Sequence, residues 1–224
     1  IIVKMDLTEF WTIASGNGIV LDKEQLERIE RFAKELVYWN KQVNLISRKD
    51  EENVLENHIL HSISLLKYLE IPPKSRCLDI GTGGGLPGIP IAIATGNISM
   101  LLIDSIAKKI KITNMLAKHT GLRNIEAICM RVENLAQNDK YLEHFDFVFA
   151  RAVTKISDLL TWSIPIAKKN ANFVFYKGGD ISEELSVAKK KFPSLSFSVI
   201  DIDFFGYPKF KEDEKKIVHI KKME

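Results

Sequence analysis

The stretch that most constrains the fold is a glycine-rich segment, residues 77–90, with the sequence CLDIGTGGGLPGIP. Its first four residues predict a buried strand interrupted only by Asp79, and residues 89–94 predict an apolar helix. Between them lie five glycines in eight residues. A strand, a glycine turn and a helix in this order let backbone N–H groups approach a ligand without interference from Cβ atoms.

A second acidic position supports a ligand site at this turn. Asp104 follows the apolar run 100–103 and lies nineteen residues after Gly85 (104 − 85). A carboxylate at this distance from a glycine turn is placed to accept hydrogen bonds from ribose hydroxyls. The two features together predict a cofactor that contains adenosine.

The glycines fit two ligand classes. Gly83-x-Gly85-x-x-Gly88 formally matches the dinucleotide fingerprint, but it starts three residues after the strand, and Pro87 removes an N–H donor that a pyrophosphate would need. Asp79-x-Gly81-x-Gly83-x-Gly85 has the D-x-G-x-G-x-G form of S-adenosylmethionine (SAM) methyltransferases. A turn with no ligand is the third interpretation, which the unfolded-state entropy of five glycines disfavours. We favour the methyl donor over a nicotinamide cofactor.

The alternation of apolar segments predicts an α/β fold with two parts, a helical extension over residues 1–72 and a core over residues 73–224. In the extension we expect helices at 7–14, 22–40 and 51–69. In the core we expect strands at 76–80, 99–103, 125–130, 145–150, 171–177, 195–203 and 216–222, with helices at 88–95, 105–119, 133–143, 155–168 and 181–191. The last two strands are expected to form an antiparallel hairpin with no helix between them. The prediction is a class I methyltransferase (Rossmann-like) core with seven strands, mostly parallel.

The open-sheet rule places the ligand at the carboxyl ends of the strands. It nominates residues 81–86, Asp104-Ser105, 131–133, 150–152 and 177–179. Arg151 and Lys177 are cations at the ends of apolar strands. They either contact a ligand or form helix caps and ion pairs at the rim of the sheet.

Composition limits the partners and the compartment. The net charge is +3, and basic residues cluster between 105 and 131, which permits a polyanionic partner without requiring one. Cys77 and Cys129 both lie in apolar runs and are expected to be buried thiols in a reducing cytosol. No apolar stretch has the length of a membrane span. His58 and His61 lack further ligands at metal-binding spacing, so we expect no metal.

Several motifs of the sequence resemble motifs of the RsmG (GidB) family, the bacterial 16S rRNA guanine-N7 methyltransferases. The segment 79–90 is similar to the family's D-x-G-T-G-x-G-x-P-G-I-P signature, which is its most specific motif. Residues 39–45 resemble its W-N-K-x-x-N-L motif, and 58–62 resemble H-I-L-D-S, with His61 in place of the aspartate. The matches cover nearly the whole chain, although the region after Ser194 matches only loosely.

The resemblance implies a SAM-dependent enzyme that methylates N7 of a guanine in 16S rRNA, with guanine 527 of the 530 loop as the expected target. The family's donor contacts carry over to Gly81, Leu86, Val132, Glu133 and Arg151. Topology adds three more expected cofactor-binding residues, Gly83, Asp104 and Ser105. The candidates for RNA binding are Arg48, Lys108, Lys109, Arg151 and Lys177.

The chemistry explains why the sequence contains no evident catalytic dyad or triad. Guanine N7 has a lone pair and no proton, so it needs no general base, and catalysis should rest on proximity and electrostatic placement. We therefore assign no proton-transfer residue. Two alternatives stay open: a methyltransferase for a small molecule or a protein, and a non-enzymatic SAM-binding ribosome-assembly factor. We expect a cytoplasmic monomer that acts on 16S rRNA or the small ribosomal subunit.

Overall fold

The computed structural model describes residues 5–222, and its centre is one seven-stranded sheet in the order β3-β2-β1-β4-β5-β7-β6. The strands are β1 (Arg76–Ile80), β2 (Ser99–Asp104), β3 (Ile125–Cys129), β4 (Phe145–Arg151), β5 (Ala167–Gly178), β6 (Leu195–Asp201) and β7 (Lys215–Lys222). The first five pair in parallel, and β7 lies between β5 and β6, antiparallel to both. The expected mostly parallel sheet with an antiparallel strand near one edge is confirmed.

Helices cover both faces of the sheet. They are α1 (Leu7–Gly16), α2 (Lys23–Asn40), α3 (His61–Ile63), α4 (Gly88–Thr95), α5 (Ala107–His119), α6 (Val132–Leu135), α7 (Ile156–Ser163), α8 (Ser182–Lys191) and α9 (Lys209–Glu212). Successive side chains of a strand point to opposite faces. In β4, Phe147 and Phe149 therefore join the core under α1, α2, α4 and α5. Val148 and Ala150 join the core under α6, α7 and α8.

The prediction of one regular helix at 51–69 is wrong, because the segment is not a continuous α-helix. The segment consists of short pieces, which we call the broken helix: a 3₁₀ turn Arg48–Asn53, a π turn Leu55–Leu60, α3, and a 3₁₀ turn Ser64–Lys67. Serine side chains donate hydrogen bonds to backbone carbonyl groups along the broken helix: Ser62 Oγ donates to His58 O at 2.5 Å, and Ser64 Oγ donates to His61 O at 2.8 Å. Such bonds compete with a regular α-helical ladder.

Three other boundaries differ from the sequence prediction. The helix expected at 133–143 ends at Leu135, and a 3₁₀ turn, Asp139–Tyr141, follows it. The helix expected at 155–168 ends at Ser163 and continues as the 3₁₀ turn Ile164–Ile166, so that β5 begins earlier than predicted. The β6–β7 connection contains α9, which the prediction lacked.

The glycine segment is packed beneath the N-terminal helices. Gly84 is buried, and a Cβ atom there would lie 2.7 Å from Leu36 Cδ1 and 3.1 Å from Leu45 Cβ. Asn40 fixes the loop that carries Leu45, because its Oδ1 accepts hydrogen bonds from the backbone N–H groups of Leu45 at 2.7 Å and Ile46 at 2.9 Å. The extension and the sheet therefore share one hydrophobic core.

Gly84→Ala should destabilise the protein by about 1–3 kcal/mol, because the added methyl group overpacks the contact with Leu36 and Leu45. Urea denaturation measures the change as a lower midpoint. Gly16→Ala is the matched control, since its Cβ would meet only Phe205 Cδ1 at 3.8 Å, an ordinary contact. Equal midpoints for the two variants would contradict this packing.

Candidate active site

A cavity of about 310 Å³, which we call cavity A, opens at the carboxyl edge of the sheet beside the ends of β1, β2 and β4. The chain contributes to it from the glycine turn, the ends of β2 and β3, the start of α6, the loop after β4, and α7. Its lining residues are Ile80, Gly81, Ile103, Asp104, Ser105, Lys109, Met130, Arg131, Val132, Glu133, Ala152, Val153 and Trp162.

Asp104 is held rigidly at one side of cavity A. Its Oδ2 accepts a hydrogen bond from Gly83 N at 3.1 Å, and its Oδ1 accepts one from Ile106 N at 2.9 Å. Thr113 fixes the same turn from behind, because its Oγ1 donates to Gly83 O at 2.7 Å. Each carboxylate oxygen keeps a further lone pair, so Asp104 can accept hydrogen bonds from the hydroxyl groups of a ligand.

Gly81 keeps the opposite side of cavity A open. Its φ of +68° lies in the left-handed region that side chains disfavour. A Cβ atom at this position would lie 2.6 Å from Val153 Cγ2. Because both residues line the cavity, a side chain here would clash with Val153 and fill the entrance.

Asp79 ties the two ends of the glycine turn together. Its Oδ2 accepts hydrogen bonds from Thr82 Oγ1 at 2.7 Å and from Gly88 N at 2.9 Å, while the buried Oδ1 has no hydrogen-bond partner among the described residues. Burial raises the pKa of Asp79 to about 7, and the two hydrogen bonds oppose that rise. The interruption in the β1 pattern is therefore a turn-forming residue with one free acceptor.

A larger cavity of about 680 Å³, cavity B, meets cavity A at Ala152 and Val153, which line both. It lies between the broken helix, the ends of β4 and β5, and the α9 region. Its lining residues are Asp50, Asn57, His58, His61, Arg151, Ala152, Val153, Thr154, Tyr176, Lys177, Gly178, Tyr207, Lys209, Phe210, Asp213 and Lys215. Four of these are cations and two are carboxylates, whereas cavity A has two of each.

The lysines of cavity B differ in their pairing. Lys177 Nζ is 2.6 Å from Glu184 Oε1 and donates to Thr154 O at 2.8 Å. Lys209 lies 3.1 Å from Asp213. Lys215 makes no ion pair with any residue in the described range 5–222, so its charge is available to a ligand.

Arg151 connects the β4 end to the broken helix. It donates to the carbonyl oxygens of Asn57 at 3.5 Å and His58 at 3.3 Å, and to His58 Nδ1. A guanidinium can only donate, so Nδ1 is the acceptor and the imidazole proton lies on Nε2. That atom is 3.4 Å from Asp50 Oδ2, without hydrogen-bond geometry.

The two histidines of this region are held neutral. Burial, reinforced by the charge of Arg151, lowers the pKa of His58 to about 4, against the opposing effect of Asp50. The same two causes hold the pKa of His61 well below its usual value. His61 packs edge-on against the ring of Tyr176, at 5.2 Å between centroids, and beside Phe210. His58 therefore acts here as a hydrogen-bonding group and His61 as a packing group, whose buried Nε2 has no hydrogen-bond partner among the described residues.

The structure brings five of the eight expected cofactor residues together in cavity A: Gly81, Asp104, Ser105, Val132 and Glu133. The other three lie elsewhere. Gly83 holds Asp104 from behind, Leu86 is buried in the core, and Arg151 lines cavity B.

The expected RNA-binding residues are spread more widely. Arg151 and Lys177 line cavity B, and Lys109 lines cavity A. Arg48 and Lys108 are exposed and line neither cavity.

Several residues that line the two cavities were not predicted from the sequence. Trp162 lines cavity A and also packs against the core. Tyr207, Phe210 and Lys215 reach cavity B from the β6–β7 connection and the start of β7, whose path the sequence does not fix. A basic residue at the start of the last strand was the only available signal for Lys215.

Three further expectations concern metals, thiols and membranes. Within residues 5–222, no group of three or more His, Cys, Asp or Glu side chains could hold a metal ion. Cys77 is buried as expected, but the expected burial of Cys129 is wrong, since it is exposed at the end of the peripheral strand β3. None of the helices described is both long and apolar enough to cross a membrane.

Comparison with known proteins gives a consistent result. The model of the GidB family, described as rRNA small subunit methyltransferase G, matches residues 25–216. Ribosomal RNA small subunit methyltransferase G of Desulforamulus reducens is 37% identical over 203 residues, which are 91% of this chain and 84% of that protein. The protein of the same name from Flavobacterium johnsoniae is 38% identical, over 86% of this chain and 90% of its own length.

Solved structures agree on the fold. The crystal structure of a SAM-dependent methyltransferase from Aquifex aeolicus superposes with a TM-score of 0.54 at 14% identity, over 71% of this chain and 88% of that one. At this identity the likeness shows the fold alone. The Rossmann-like class I methyltransferase architecture expected from the sequence is confirmed.

Stability should fall with acid because His58 resists protonation in the folded protein. The unfolded chain binds this proton near pH 6.5 and the folded one only near pH 4, so the free energy of unfolding decreases as pH falls between these values. His58→Asn keeps an acceptor for Arg151 and should lose up to about 3 kcal/mol of this dependence. Urea unfolding at a series of pH values measures it.

His61 acts in the same direction as His58, and both proteins contain it. Parallel curves for His58→Asn and wild type would contradict the assignment.

Proposed function

The chain belongs to the GidB family of small-subunit rRNA methyltransferases, and from this premise we propose that it transfers a methyl group from SAM to N7 of a guanine in 16S rRNA. The observation that carries the proposal is the junction at Ala152 and Val153, where a charge-balanced cavity meets a cation-rich one. Guanine 527 in the 530 loop is the target we expect from the resemblance.

Cavity A is the proposed donor site, and its residues fit SAM. When bound, SAM supplies a methyl group activated by a positively charged sulfur. Asp104 is fixed to accept from ribose hydroxyls, and Gly81 leaves open the space that a Cβ would fill. The carboxylate of Glu133 adds an acceptor in the lining of cavity A, near a cationic ligand. The cation excess of cavity B would oppose such a ligand.

The other three residues expected to contact the cofactor, Gly83, Leu86 and Arg151, do not line cavity A, and we propose that they support the residues that do. Gly83 orients Asp104 through its backbone N–H group, and Leu86 supports the turn from the core. Arg151 holds the β4 end, which carries Ala152 and Val153, against the broken helix. Ser105 and Val132 form walls of cavity A.

Cavity B is the proposed site of the guanine nucleotide. A volume of about 680 Å³ lies within the range of ligand pockets and is large enough for a base with its sugar. Lys215 and Arg151 place positive charge where the phosphates of an extruded nucleotide would enter. The largely buried rings of Tyr207 and Phe210 form part of the wall of the cavity. Arg48, Lys108 and Lys109 extend the basic surface outward on either side.

The chain's own contribution to the reaction is positioning. N7 has a lone pair and loses no proton, so no side chain of cavity B has to accept one. His58 and His61, neutral and buried, suit this requirement, since neither adds charge beside the base. Holding donor and acceptor on either side of Ala152 and Val153 and excluding water are the effects that would accelerate transfer. We place this monomeric enzyme in the cytoplasm, where its RNA substrate is.

The direct experiment supplies the purified protein and SAM to small subunits, and separately to deproteinised 16S rRNA, from cells that lack the gene. N7-methylguanosine is mapped by borohydride reduction and aniline cleavage. Protein-dependent cleavage at one guanine of the 530 loop is the expected result. SAM binding without RNA methylation would identify an assembly factor, and methylation of only a protein or small molecule would identify another enzyme. Either result would overturn the proposal.

Asp104→Asn removes the charge of the proposed ribose acceptor and should raise the dissociation constant for SAM by about tenfold or more, the scale of a charge-assisted hydrogen bond. Isothermal titration calorimetry measures it. Asp139→Asn, on the 3₁₀ turn after α6 and outside the lining of cavity A, should bind like wild type. Unchanged affinity in Asp104→Asn would remove this residue from the site.

A further inference from the structure

A second basic cavity lies at the edge of the sheet opposite the active site. This amino-edge cavity, of about 310 Å³, is lined by Arg76, Cys77, Ser99, Met100, Leu101, Arg123, Asn124, Ile125, Glu126, Lys140, Tyr141, His144 and Phe145. It includes the first residues of β1, β2, β3 and β4, which start at this edge. The seven residues of β4 separate it from cavities A and B by roughly 23 Å.

The cations of this cavity lack acidic partners. Arg76, Arg123 and Lys140 are exposed, and none forms an ion pair with any of residues 5–222. Glu126 is the one carboxylate in the lining. Nearby Asp146 is already engaged, because it accepts from Lys168 Nζ at 2.8 Å and from the backbone N–H group of Arg76 at 2.8 Å. Three unneutralised cations therefore face one small volume.

Aromatic side chains give the cavity a rigid wall. The ring of Tyr141 is stacked on that of Phe145 at 6.1 Å, and His144 meets Phe145 edge-on at 5.0 Å. Burial lowers the pKa of His144, and the charges of Arg76, Lys168 and Lys140 lower it further against the opposing charge of Asp146. The lowered pKa of His144 therefore reflects positive charges that several elements bring to this cavity.

We propose that the amino-edge cavity binds a backbone phosphate of RNA, as a contact of the substrate that is separate from the active site. The inference rests on the proposed function only in the identity of the polyanion. Converging cations are typical of sites that hold a nucleic-acid backbone.

The surroundings of the cavity favour an extended polyanion over a small free anion. Arg123 also lines the adjoining cavity, where Arg28 is already paired with Glu24 at 2.5 Å. On the other side of Arg76, a further cavity at the same edge is lined by Lys74 and Lys169, both exposed and without an ion pair within the described residues. Positive charge therefore continues along the edge beyond Arg76, which suits a chain of regularly spaced phosphates.

Salt dependence of RNA binding tests the proposal. The variant Arg76→Gln/Arg123→Gln/Lys140→Gln is compared with wild type and with Lys118→Gln/Lys189→Gln/Lys190→Gln, which loses the same charge from exposed positions outside every cavity described above. The probe is 16S rRNA transcribed in vitro, with dissociation constants measured over a series of KCl concentrations. Each lost phosphate contact should reduce the slope of log K against log[salt] by about 0.7–0.9.

We expect the slope of the amino-edge variant to fall by about 0.7–0.9, the loss of one phosphate contact, and that of the control to stay close to wild type. Calorimetry should give both variants the wild-type affinity for SAM, which shows that they are folded. For 16S rRNA methylation, the amino-edge variant should raise KM and leave kcat unchanged.

Equal slopes for the two triple variants would overturn the proposal. Weaker binding of the amino-edge variant to intact small subunits, with unchanged binding to naked rRNA, would assign the cavity to a ribosomal protein and would also overturn it. Failure of wild type to methylate any RNA would remove the proposed function but leave the slope comparison as a valid test of the cavity.

Discussion

Two buried carboxylates determine the shape of the glycine segment, and the rest of the site depends on that shape. Asp79 joins Thr82 to Gly88 across the turn, and Asp104 holds Gly83 from the neighbouring strand. An acceptor that pairs with several N–H and O–H groups orders a flexible segment, which otherwise has a large entropy in the unfolded chain. With the turn fixed, cavity A has a rigid floor between β1 and β2.

The N-terminal helices contribute to the site as well as to the core. Leu36 of α2 and Leu45 of the loop after it cover Gly84, so the N-terminal region packs against one side of the glycine turn. Arg151 ties the broken helix to the loop that separates the two cavities. Within the broken helix the carbonyl oxygen of His58 accepts from Arg151 as well as from Ser62 Oγ, and that of Ser62 accepts from the hydroxyl of Tyr176. These two contacts link the extension to the ends of β4 and β5.

Local patterns predicted the parts of the site that are close in sequence to the glycine turn. Gly81 directly follows β1, Asp104 is the last residue of β2, and Val132 comes three residues after the end of β3. Parallel strands bring their ends to one edge, so topology alone placed these residues. The side chain of Leu86 enters the core, and its expected contact with the donor stays a prediction. Cavity B could not be predicted in the same way. Its residues from the broken helix and the β6–β7 connection meet only through long-range packing, which periodicity does not encode.

We expect the donor to occupy cavity A and the acceptor to reach it from cavity B across Ala152 and Val153. A crystal structure of the protein with S-adenosylhomocysteine is the sharpest test. Electron density should appear in cavity A, with the ribose hydroxyls on Asp104 and the sulfur toward Val153. Density in cavity B, or a cavity A closed by its own side chains, would contradict it.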